Sequence, residues 1–132
     1  MEKEMKNIEL FDRYTGLIFT ELLEEFPLKK WIHIESFTKI PLVNELEHPY
    51  ENKIFIGTLQ WLAEEGYIKM KTPNHYGAEC ILTGKALALL KSKPKSIQEN
   101  GKSYGEMLIE MSKIAGGEGF NAVVNAILSK IL

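Results

Sequence analysis

The sequence predicts a mainly α-helical fold that carries one small β-hairpin and ends in a pair of amphipathic helices. Three observations predict it. Apolar residues recur at helical spacing along residues 8–26, 51–65 and 104–131. In YIKMK, Lys69 and Lys71 alternate with Ile68 and Met70, the period of a half-buried strand, and a second strand-like run, AECILT, follows the turn formers TPNHYG. Pro27, Gly66 and the glycines of GGEG fall between the periodic runs, where a helix is expected to stop.

At 132 residues and 45% hydrophobic, the chain can bury a core without disulfide or metal staples. The single cysteine, Cys80, has no partner for an intramolecular disulfide, and its apolar surroundings read as a buried thiol in a reducing compartment. The opening MEKEMKNIEL has no apolar signal-peptide core, and no window approaches the run of about 20 apolar residues that a membrane span needs. A cytoplasmic protein with no membrane partner is expected. The net charge of −2 conceals an uneven distribution. Residues 1–66 carry 7 basic and 13 acidic side chains, whereas residues 67–96 carry 6 lysines and the single acid Glu79. Such clustering makes a local field that can hold an anion on an otherwise acidic protein.

The first helix is read over Ile8 to Phe26, with Ile8, Phe11, Tyr14, Leu17, Ile18 and Leu22 on one face and Glu9, Asp12, Arg13 and Glu24 on the other. Pro27 ends it. The run WIHI predicts a short extended segment, followed by a brief second helix from Phe37 capped by Ser36. NELEHPYEN reads as a connection. A third helix, about Glu51 to Glu65, places Ile54, Phe55, Leu59 and Leu62 inward and Gly66 at a left-handed cap. After the hairpin, Thr83 can cap a fourth helix, GKALALLK.

The segments TLQWLAEEGYIKMK and ILTGKALALLK resemble the winged helix-turn-helix module of bacterial MarR-like and PadR-like regulators, over residues 8–92. The resemblance implies a winged-helix domain at 8–92, a linker at 93–102, and a C-terminal dimerisation or packing element at 103–132. It also implies double-stranded DNA as partner and transcription regulation as role. On that reading Lys53, Thr58 and Gln60 face the major groove from the third helix, and Lys69, Lys71, His75 and Lys85 meet phosphates from the wing. Lysine supplies charge without bidentate geometry, so this binding would be salt-sensitive and weakly selective. Trp61 lies off the main apolar stripe and can pack under the wing, sit in an interface or stack on a ligand.

Two C-terminal stripes need covering, since a short amphipathic hairpin cannot shield its own apolar face. Met107, Leu108, Met111, Phe120, Val124, Ile127 and Leu128 are assigned to a homodimer interface, with packing in cis as the alternative. Binding to a membrane surface is disfavoured, because FNAVVNAILSKIL has one lysine. Catalysis is not expected. His33, His48 and His75 are isolated, and no metal-ligand, redox or dinucleotide motif is present, so neither cofactor nor metal is predicted. The rival to DNA binding is a winged helix serving as a protein-interaction module, with the acidic first half docking a basic partner.

Overall fold

The computed structural model describes residues 6–41, 49–95, 101–114 and 117–132. The chain runs through α1 (Lys6–Glu25), β1 (Lys30–His33), α2 (Ile34–Thr38), α3 (Tyr50–Glu64), β2 (Ile68–Asn74), β3 (Gly77–Leu82), α4 (Gly84–Lys91), α5 (Tyr104–Ser112) and α6 (Glu118–Ile131). It is mainly helical, with a three-stranded antiparallel sheet in the order β1-β3-β2. The connection expected at NELEHPYEN lies mostly outside the described residues, as do residues 96–100 of the predicted linker and residues 115–116.

The helix α1 is central, packed by α3, α5, α6 and the sheet. Its buried face is wider than a single stripe: Thr15 and Phe19 join Tyr14, Ile18 and Leu22, while Ile8 remains 46% exposed. Neighbours on several sides account for that width. The short helix α2 differs from expectation. It begins at Ile34, directly after β1 and with His33 at its N-cap, rather than at Phe37 behind Ser36. Burial of the Ile34 side chain and donation of its N–H to the Tyr76 carbonyl at 2.8 Å fix the chain there. It ends at Lys39, whose φ of 63° is left-handed.

α3 buries Phe55, Leu59 and Leu62, and Gly66 takes the left-handed conformation expected after it, at φ 86°. In the hairpin, Ile68 pairs with Leu82, Lys69 with Ile81, Met70 with Cys80 and Lys71 with Glu79. Opposed residues share a face, so Ile68, Met70, Cys80 and Leu82 turn to the core and Lys69, Lys71, Glu79 and Ile81 turn outward. Gly77 is required where β1 pairs with β3, because a Cβ there would strike the Ile32 carbonyl. Thr83 caps α4 as expected, accepting from the Ala86 N–H at 3.2 Å while donating to the Gly66 carbonyl at 2.6 Å.

The C-terminal helices correct one expectation. Leu108, Phe120, Val124, Ile127 and Leu128 are buried within the single chain, and Met107 and Met111 pack against the same core. α1 itself covers the stripe assigned to a second copy, and it fits because Gly16 and Gly105 leave room where Val124, Phe120 and Leu23 approach. A capping box starts α5: the Ser103 hydroxyl accepts from the Glu106 N–H at 3.1 Å, and the Glu106 carboxylate accepts from the Ser103 N–H at 2.8 Å. No helix among the described residues is long and apolar enough to cross a membrane.

Candidate functional site

The outward face of α3 carries Lys53, Gly57, Gln60 and Glu64, all exposed. Two polar residues of α3 are not on it, and one of them, Thr58, was expected to face the groove. Thr58 is 2% exposed and its hydroxyl donates to the Ile54 carbonyl at 2.8 Å, so it has no surface to offer a groove. Asn52 is also buried, with its amide nitrogen donating to the Ile40 carbonyl at 3.3 Å. The first turn of α3 is also acidic, and Glu51 there is met by Lys6 at 3.7 Å.

Lys69 and Lys71 stand exposed on the outward face of β2, two residues apart. Lys71 is directly opposite Glu79, which tempers its charge; Lys69 is opposite Ile81. At the tip, the Asn74 side-chain oxygen accepts from the N–H groups of Tyr76 and Gly77 at 2.7 and 3.2 Å, closing an Asx turn. His75 lies half-buried on that turn with its ring 4.0 Å from the Tyr76 ring. Lys85 is engaged elsewhere: its ammonium donates to the Glu65 carbonyl at 2.9 Å and lies 4.2 Å from the centre of the Tyr67 ring. A cation at the end of α3 answers the negative pole of that helix, so Lys85 serves as a cap.

Among the described residues, ion pairs are made by Lys6, Lys30 and Lys102; Lys69, Lys71, Lys91, Lys93 and Lys95 make none.

A second surface was not foreseen. Between α1 and α3 runs an apolar groove of about 420 Å³ lined by Ile8, Phe11, Ile54, Gly57 and Trp61, together with Asp12, Lys53 and Leu132. Phe11 meets Trp61 edge to face at 5.3 Å, a favoured aromatic geometry. Trp61 is therefore held by α1 rather than by the hairpin. Burial and the Glu9 carboxylate push the Asp12 carboxyl above its ordinary range. The sequence signal was the off-stripe position of Trp61; nothing local links it to Phe11, fifty residues away.

The described residues hold no cluster of three or more His, Cys, Asp or Glu side chains that could bind a metal. No protein-family profile, curated protein or solved structure matches the chain.

Proposed function

We propose that this chain is a winged-helix protein that docks on double-stranded DNA, with Lys69 and Lys71 on phosphates and the exposed face of α3, through Lys53 and Gln60, toward the groove. The observation that carries this reading is the pair of outward lysines on β2, exposed and without an ion pair among the described residues. The element order α1-β1-α2-α3-β2-β3 with the sheet order β1-β3-β2 supports the winged-helix assignment. Gln60 can pair with adenine and Lys53 with guanine or phosphate. Thr58 and Lys85 drop out of the interface for the reasons given above. Transcription regulation is the role that such docking would serve.

Anisotropy of labelled random duplex DNA across a salt series tests the proposal, with a Lys69→Ala/Lys71→Ala variant beside the wild type. Wild-type affinity should fall steeply with salt, and the variant should lose about two counterions from the slope. No binding at low salt would sink it.

The α1–α3 groove favours a second reading, a module that binds an apolar protein segment there. In that case Ile8→Asp abolishes partner binding, and the Lys69→Ala/Lys71→Ala variant retains it.

A further inference from the structure

We infer that the outer edge of β1, with the groove it shares with α1 and α2, accepts an acidic, extended segment of a partner protein as an added strand. This does not depend on DNA binding and concerns a different surface.

The sheet order leaves β1 with β3 on one side only. Ile34 donates its N–H to the Tyr76 carbonyl at 2.8 Å, and Ile32 and Lys30 stand opposite Ala78 and Cys80 in the same phase. Antiparallel ladders alternate, so these residues bond to β3 while the N–H and C=O groups of Trp31 and His33 turn away from it. Trp31 presents the donor and acceptor pair that a guest strand requires and His33 a further N–H, its carbonyl serving as the N-cap acceptor of α2.

A groove of about 460 Å³ runs beside that edge, walled by Arg13, Leu17 and Glu21 of α1 and by Ser36, Phe37 and Lys39 at α2. Its charge is unbalanced. Lys30 holds the Glu21 carboxylate at 2.7 Å, whereas Arg13 and Lys39 form no ion pair among the described residues. Two cations thus remain for a guest, on the half of the chain that is otherwise acidic. A basic segment meets like charge there, and so does the β1 edge of a second copy; an acidic segment is complemented along its length.

Lys39 adds an independent observation. Its φ of 63° is left-handed, a conformation unfavourable for a side-chain-bearing residue and open to glycine. Lysine nevertheless occupies the position, which holds its stem and charge at the groove.

The test uses the full chain, labelled with ¹⁵N, and a capped eight-residue peptide alternating threonine and glutamate. Three controls accompany it: the glutamine counterpart, and two versions N-methylated at alternate amides. The acidic peptide should move the amide resonances of Trp31 and His33, and the glutamine peptide should bind about tenfold more weakly. Of the two methylated peptides, one should lose binding by at least about tenfold and the other should keep it, since only alternate amides of an added strand face β1. Lys39→Gly should weaken binding about fivefold while its thermal midpoint equals or exceeds that of the wild type. Binding unchanged in Lys39→Gly, equal binding of both methylated peptides, or displacement by acetate at equal carboxylate concentration would overturn the proposal. So would the absence of resonance shifts at millimolar peptide.

Discussion

Gly16 of α1 faces Val124 of α6 so closely that a Cβ on the glycine would overlap the valine γ-methyl and press on the Phe120 ring. A glycine at the middle of a long helix is unfavourable by about 1 kcal/mol relative to alanine, so its presence marks the packing of α6 rather than any need of α1. Gly16→Ala recovers that increment but overpacks the contact at a cost of about 1–3 kcal/mol, leaving a net destabilisation of about 1 kcal/mol. In a Val124→Ala background the same change should become stabilising. Urea unfolding of the four-member cycle reads the coupling; strict additivity would show that α6 does not rest on Gly16.

Burial, aided by the neighbouring Glu79 carboxylate, pushes the Cys80 thiol up to about 12 from an ordinary 9.0. The native protein should therefore resist iodoacetamide at pH 8 and react once denatured. Because the folded value is the higher one, the unfolded chain ionises first as pH rises. Stability due to the neutral thiol is full below pH 9 and declines from there toward pH 12, by about 1.4 kcal/mol per pH unit. Cys80→Ala should show a shallower alkaline decline than the wild type, measured as the denaturation midpoint against pH.

The capping box at α5 ties helix stability to a carboxylate. Backbone donation from the Ser103 N–H, with smaller contributions from its hydroxyl, Lys93 and Lys102, holds the Glu106 carboxyl below its usual 4.5. A lowered folded value gives stability that is present above the unfolded value and lost as pH falls through the folded one. Wild-type protein should thus weaken below pH 4.5 more than Glu106→Gln does. At neutral pH, Ser103→Ala should cost about 1 kcal/mol. Circular dichroism melts across pH 3–7 check both; parallel curves for wild type and Glu106→Gln would refute the link.

For Lys85 the expectation is stability without nucleic acid. Lys85→Met removes the ammonium from the Glu65 carbonyl and the Tyr67 ring, at a cost of about 0.5–1 kcal/mol. The salt slope of the proposed DNA docking should stay at the wild-type value. A slope reduced by about one counterion would return this residue to the interface.

What could be read from the sequence was what local spacing encodes. Thr83 before GKALALLK is a hydroxyl cap followed by a helical repeat, and both are found there; the YIKMK alternation gave the strand, and Gly66 the left-handed stop. Non-local contacts were hidden. Nothing beside Leu108 or Val124 says whether α1 or a second molecule covers them, because both present the same apolar surface to a helix stripe. Thr58 was misplaced because a threonine that bonds its own helix four residues back looks, in sequence, like one facing solvent. The start of α2 was misjudged since the tertiary bond from Ile34 to Tyr76 outweighs the capping propensity of Ser36.

The two tryptophans of the chain stand on different surfaces: Trp31 at the β1 edge, Trp61 against Phe11 between α1 and α3. Replacing either with phenylalanine leaves a single tryptophan, excited selectively to the red of the five tyrosines, so one molecule offers two separate optical channels. Emission from Trp31 would report what arrives at the edge strand, and emission from Trp61 what arrives at the α1–α3 groove, without any attached dye.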